Sequence, residues 1–182
     1  MVTLADVAHK ERIDSERNQG RAPDMGWLDH DRLGFNYRLT DIASAIGLEQ
    51  LRRLEGMLAD RARVAGWYRE ALVGLEDVGL PCDDADGDRR GWFVFVMQVP
   101  RDRDRDDVIG ALRARGVQCK PYLPAIHLMS FYRERFGHRE GEFPVCEDVA
   151  RRSLALPFFP AMTEGQVARV AAALAEALGQ AV

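Results

Sequence analysis

The sequence predicts an α/β protein in which a leading helical segment is followed by a small sheet covered by helices. Three observations carry this. Apolar residues recur at helical spacing from Ile42 to Leu75. Trp92–Val99, WFVFVMQV, has the length, aromatic content and β-branching of a strand. From there to the C-terminus, helix and strand patterns alternate, as they do in an α/β layer. At 182 residues the chain can bury a real core, and its length favours one domain, or one domain plus a remnant of another.

Taken in order, Thr3–Arg17 reads as a short helix, with Thr3 and Asp6 at capping-box spacing and Gly20 just past its end. Arg21–Arg32, rich in charge and carrying Pro23 and Gly26, reads as a surface loop. Leu33–Leu51, LGFNYRLTDIASAIGLEQL, then sets a tight Gly-Phe-Asn-Tyr-Arg turn against a helix start. Thr40 suits its N-cap, and Asp41 places a negative charge in its first turn. Ile42, Ala43, Ala45, Ile46 and Leu48 leave this helix no polar face, which predicts burial on several sides or cover by a second subunit. From Leu51 the pattern narrows to a stripe through Leu54, Leu58, Val64, Trp67, Leu72 and Leu75, one long helix or two in line.

Gly79–Arg90 breaks that period. Its four aspartates, Asp83, Asp84, Asp86 and Asp88, lack the glutamate and frame of a calcium loop, so the segment reads as a solvated acidic turn. After the strand Trp92–Val99, Asp104–Arg115 returns to helix, with Val108, Ile109 and Leu112 inward and Gly116 as the stop. Val117–Lys120 reads as a short strand ended by Pro121, followed by a proline-bounded loop. Pro144–Ser153 reads as a helix and Leu154–Leu156 as a strand. Thr163 and Gln166 form a capping box that opens a last helix, Glu164–Leu178.

Composition excludes several classes. With 47% apolar and 30% charged residues the chain is not of the disordered type. A net charge of −4 argues against a nucleic-acid partner, which would need a basic face. No apolar run is long enough for a membrane span, and Met1–Gly20 lacks the basic start and apolar centre of a signal peptide. Cys82, Cys119 and Cys146 are odd in number and far apart, fitting neither a disulfide framework nor a spaced metal site. That usage suggests a reducing cytoplasm, with Cys119 and Cys146 read as small core residues.

Two places gather side chains that bind. Asn36, Tyr37 and Arg38 crowd one turn, where an amide and a guanidinium fork suit a phosphate or carboxylate and the helix start adds backbone donors. The same residues also suit a turn merely stabilised by Asn36, and the residues alone leave both readings open. His127 lies in the loop Tyr122-Leu-Pro-Ala-Ile-His-Leu after a strand, where a lone histidine is more often structural than functional. His9, His30 and His138 are in polar surroundings, and no pair has metal-ligand spacing. Neither Ser153 nor Cys146 sits in the glycine-rich elbow of a hydrolase nucleophile.

Read whole, Gly34-Phe-Asn-Tyr-Arg-Leu-Thr-Asp-Ile-Ala-Ser-Ala-Ile-Gly-Leu-Glu-Gln-Leu resembles the G-x-N-x-R-x-x-x-x-x-A-A-x-G-x-x-Q-L block of the DegT/DnrJ/EryC1/StrS family. Further matches follow in order: Arg17-Asn-Gln-Gly, the proline-and-histidine loop Tyr122–Tyr132, and Leu154-Ala-Leu-Pro with Pro160-Ala-Met-Thr-Glu-Gly-Gln-Val. Together they cover essentially the whole chain. The resemblance implies a fold-type-I transferase dependent on pyridoxal 5′-phosphate, with residues 1–48 the trailing part of the large cofactor domain and 49–182 the small C-terminal α/β domain with a mostly antiparallel sheet. It implies amino transfer, from glutamate, to a nucleotide-linked keto-sugar in a homodimer with shared active sites. Asn36 and Arg38 are then cofactor-binding, Asn36 reaching the cofactor phosphate of the other subunit, while Tyr37, Tyr122 and His127 are substrate-binding.

In the family, the lysine that holds the cofactor as a Schiff base precedes the residues that resemble Met1-Val-Thr here. The only lysines of this chain, Lys10 and Lys120, match neither its position nor its surroundings. The resemblance therefore implies the C-terminal half of an aminotransferase, inactive alone and binding the cofactor weakly. A same-family sugar dehydratase and a non-catalytic, dimerising or nucleotide-sugar-binding remnant are the alternatives, since the deciding lysine position lies upstream.

Overall fold

The computed structural model describes residues 3–22 and 29–180; Met1, Val2, and Pro23 and Gly26 of the predicted surface loop lie outside the described residues. Contact density divides the chain into two compact units, 1–53 and 54–182. The helix α2 (Asp41–Leu72) runs through both as a single 32-residue element.

The first unit opens with α1 (Val7–Glu16). Its cap is Asp6, whose carboxylate accepts the Ala8 amide at 2.8 Å, and not Thr3 as the spacing suggested. An aspartate directly before the first turn reaches the free amides better than a threonine three residues further out. Thr40 caps α2 as predicted, its hydroxyl accepting the Ala43 amide at 3.2 Å. The side chains at the start of α2 depart from the simpler expectation. Ile42, Ile46, Leu48 and Leu51 are 78, 61, 52 and 65% exposed, so none of the described residues buries them.

The second unit holds the core. Its three-stranded antiparallel sheet has the order β1-β3-β2, with β1 at Phe95–Gln98, β2 at Lys120–Pro121 and β3 at Ser153–Leu156. Phe95 pairs with Leu156 and Met97 with Leu154, so the four buried side chains of the inner face stand in register. Against them pack the second half of α2, through Val64, Ala65, Tyr68 and Leu72, and α6 (Glu164–Leu178), through Val167, Val170, Leu174 and Leu178. The Tyr68 and Phe95 rings stack at 4.8 Å, and the Tyr68 hydroxyl donates to the Pro157 carbonyl at 2.6 Å. The predicted capping box at Thr163 and Gln166 is present with both hydrogen bonds.

The first two strands are shorter than predicted, for local reasons, while β3 gains Ser153. Trp92 has a positive φ of 42°, and its ring lies between the guanidiniums of Arg69 and Arg90, so the chain turns there before β1 begins. Val117 gives its amide to the Leu112 carbonyl to close α3 (Arg105–Ala114), which removes it from the sheet. The edge strand β2 includes Pro121, where a missing N–H is harmless. The acidic turn is tied down by arginines: Arg69 pairs with Asp83 and Arg90 with Asp84. The predicted loop before Pro144 contains a 3₁₀ turn, Ile126–Leu128, and a seven-residue helix, α4 (Ser130–Phe136), whose aromatic residues are mostly exposed. Without a buried stripe it left no helical period to read. α5 (Pro144–Arg152) follows. All three cysteines are free; Cys119 is buried and its thiol is pushed up by that burial, while Cys146 is exposed, against the expectation that both are core.

Candidate functional site

The predicted site residues fall into two groups, one in each unit. In the first, Gly20 and Gly34 let two backbone segments approach more closely than any side chain would permit. A Cβ on Gly34 would stand 2.1 Å from the Gly20 nitrogen, and Gly20 has φ of 76°. The chain after Gly34 is then strapped to the turn that ends α1. Phe35 N donates to Glu16 O at 2.6 Å, Gln19 N to Phe35 O at 2.9 Å, and Tyr37 N to Arg17 O at 2.8 Å, with an isolated bridge pairing Asn18 and Asn36. This strap mounts the loop, where the sequence suggested that burial of the following helix would do so.

Extended backbone sends alternate side chains to opposite sides. Phe35 and Tyr37 accordingly stack, ring centres 5.1 Å apart, while Asn36 and Arg38 meet through a 2.8 Å hydrogen bond from Arg38 Nε to Asn36 Oδ1. A guanidinium can only donate, so this bond fixes which end of the amide faces it. Both N–H groups of Asn36 are left to point elsewhere, on an exposed residue. The group offers donors: the amide of Asn36 and the remaining guanidinium N–H groups of Arg38.

The second group surrounds an open cleft of about 640 Å³ lined by Tyr122, Leu123, Pro124, Phe143, Val145 and Cys146, among others. Tyr122 is half-buried; its amide donates to Ser153 O at 3.2 Å and its ring lies 6.4 Å from that of Phe93. Among the described residues its hydroxyl has no hydrogen-bond partner, so it is available to a ligand. His127 is placed differently. It is nine-tenths buried behind the cleft, its Nε2 3.0 Å from Glu147 Oε1 and its ring edge-on to Phe143 at 4.8 Å. Glu147 in turn accepts the amides of Gly141 and Phe143, and the Gly141 amide, followed by His127 and Phe143, holds its carboxyl below the usual glutamate range. Sequence reasoning missed Glu147. An acid in the first turn of a helix has an ordinary explanation in the helix dipole, and only its spacing behind the Gly-Glu-Phe-Pro turn hinted at more.

Comparison with known proteins decides the family. The profile of the DegT/DnrJ/EryC1/StrS aminotransferase family matches residues 1–175. The chain belongs to that family. It is 34% identical over 181 residues, 98% of its length, to the UDP-N-acetyl-3-dehydro-alpha-D-glucosamine 3-aminotransferase of Acidithiobacillus ferrooxidans, of which it covers 46%. It is 30% identical over 138 residues to the spore coat polysaccharide biosynthesis protein SpsC of Bacillus subtilis, covering 74% of this chain and 35% of that one. Among solved structures it superposes on DesV of S. venezuelae, determined with a ketimine intermediate, with a TM-score of 0.81, 30% identity and cover of 97% of this chain and 46% of DesV. The fold of Helicobacter pylori PseC matches with a TM-score of 0.83 at 18% identity. The chain thus spans between about a third and a half of the length of the relatives it matches.

The cofactor of this family is pyridoxal 5′-phosphate. The donors at Asn36 and Arg38 suit its phosphate, being uncharged and cationic N–H groups on a rigid loop. Lys10 is bound to Asp14 at 2.7 Å on α1, and Lys120 lies on the edge strand β2 of the second unit.

Proposed function

We propose that this chain serves a sugar aminotransferase that moves an amino group, from glutamate, to a nucleotide-linked keto-sugar. The UDP-linked keto-sugar in the name of the 34%-identical relative supports the substrate class. When bound, pyridoxal phosphate supplies the carbonyl that takes up the amino group and the ring that draws off electrons. This chain's part is binding. Asn36 donates its amide to the cofactor phosphate, with Arg38 setting the orientation of that amide. Tyr37 and Tyr122 face the substrate, one through an exposed ring and one through a hydroxyl at the cleft. Proton transfer is not assigned to Lys10 or Lys120, given their positions. The exposed apolar start of α2 supports a homodimer in which Asn36 serves the partner's site.

The observation that carries this reading is the Arg38–Asn36 hydrogen bond, which among the described residues leaves both amide N–H groups without a partner on an anchored loop. Titrating the chain with pyridoxal phosphate should shift the Asn36 side-chain amide signals in NMR spectra, with weak affinity and no borohydride-stable adduct on Lys10 or Lys120. One hydrogen bond to a charged group contributes about 1.5–3 kcal/mol, so Asn36→Ala should weaken binding by roughly ten- to a hundredfold. Equal affinity in the variant would remove Asn36 from the site.

A further inference from the structure

We propose that Glu147 is a positioning residue that holds both walls of the cleft, and that His127 serves the cleft through Glu147 and not by touching a ligand. The two walls come from distant parts of the sequence, Tyr122–Ala125 on one side and Glu142–Cys146 on the other. One carboxylate joins them. Its Oε1 accepts from His127 Nε2 at 3.0 Å, from Gly141 N at 2.9 Å and from Phe143 N at 3.2 Å; its Oε2 accepts from Gly141 N at 3.0 Å. The His127 bond ties down the 3₁₀ turn that directly continues the first wall, and the amide bonds tie down the turn that carries Glu142 and Phe143 of the second.

Burial makes the arrangement decisive. The side chains of Glu147 and His127 are 7 and 9% exposed, so neither can exchange its partner for water without the loops parting. A carboxylate has only acceptor sites, and here each oxygen meets an N–H group; a carboxamide nitrogen in place of Oε2 would face the Gly141 amide donor to donor. His127 is not among the residues that line the cleft, and its Nε2 is already committed. Its ring fills the space behind Phe143, whose own ring does face the cleft.

The proposal rests on the reading of the cleft as a substrate wall only for its functional meaning. The test is made without ligand, so the two can fail separately. Amide exchange is followed by NMR at Leu128 and Met129, which donate to Ala125 and Ile126 in the 3₁₀ turn, and at Gly141 and Phe143. His127→Phe keeps a ring and loses the donor, whereas His127→Gln loses the ring and keeps a donor of similar reach. The proposal expects exchange at Leu128 and Met129 to quicken by roughly tenfold in His127→Phe and to stay within about twofold of wild type in His127→Gln. Glu147→Ala, which removes the shared acceptors, should release Gly141 and Phe143 as well. A purely space-filling histidine predicts the reverse order of the two His127 variants, and that result would overturn the proposal. Should the variants fail to fold, the unmodified chain decides: the His127 Nε2–H must appear as a slowly exchanging signal, and exchange as fast as that of exposed His9 sinks the idea.

Discussion

The two halves of α2 both carry apolar residues at helical spacing and meet opposite fates. Val64, Ala65, Tyr68 and Leu72 are at most 1% exposed beneath the sheet, while Ile42, Ile46 and Leu51 in the same helix are more than 60% exposed. Hydrophobic periodicity records what a helix needs to cover, and the described residues supply that cover at only one end. The second half is held by packing. The first half is held as a helix by continuity with the second, by its Thr40 cap and by its aspartate in the first turn.

The widest test of this contrast is a truncation beneath the covered half. Phe95 is fully buried, stacked on Tyr68 and close to Trp92 and Phe158. Phe95→Ala should cost about 3–5 kcal/mol in denaturant unfolding, the usual range for emptying such a site. A cost below about 1 kcal/mol would mean that the sheet is not the floor of the core.

Acid should expose a smaller effect in the second unit. The carboxyls of Glu147 and Asp148 are held below their ordinary ranges, by the Gly141 amide and by the Arg152 guanidinium respectively, and that of Glu142 by His138. With folded values depressed, the unfolded chain takes up protons first, so their stabilisation is full above the ordinary carboxylate range and is lost as pH falls through the folded values. Thermal midpoints should therefore fall most steeply below about pH 4.3. The gap between wild type and Glu147→Gln should be open at pH 6 and close as acid protonates Glu147; parallel curves would show that its charge contributes nothing.

Legibility in the sequence follows the same division. The capped helices α3 and α6 were readable to within a residue because their stop and start signals are local: Asp104 and Gly116, Thr163 and Gln166. The Asn36 loop was readable as a binding turn, but its strap to Arg17 and its Arg38–Asn36 bond depend on pairing across Gly20 and Gly34, which no local pattern states. Glu147 was hardly readable beyond its place behind the Gly-Glu-Phe-Pro turn. Its partners, His127 and the Gly141 amide, lie 20 and six residues away, on segments with no periodicity to place them. Long-range polar pairing is set by the fold, and neither apolar pattern nor local capping signals state it.

The smallest expected change in stability is also the sharpest test of the exposed half of α2. Ile42 and Ile46 are one turn apart on a face that none of the described residues covers. Replacing both with serine removes apolar surface that is already in water, so the monomer's unfolding free energy should move by no more than about 0.5 kcal/mol, as for exposed sites generally. Association should respond instead. An uncovered patch carrying Ile42, Ile46, Leu48 and Leu51 is of the kind that draws chains together, so light scattering at micromolar concentration should find wild type self-associated and the double variant shifted towards monomer. A wild-type chain that is already monomeric would break the argument for a partner on this face. A variant that loses several kcal/mol would break it differently, because side chains that stabilise the monomer must be buried in it.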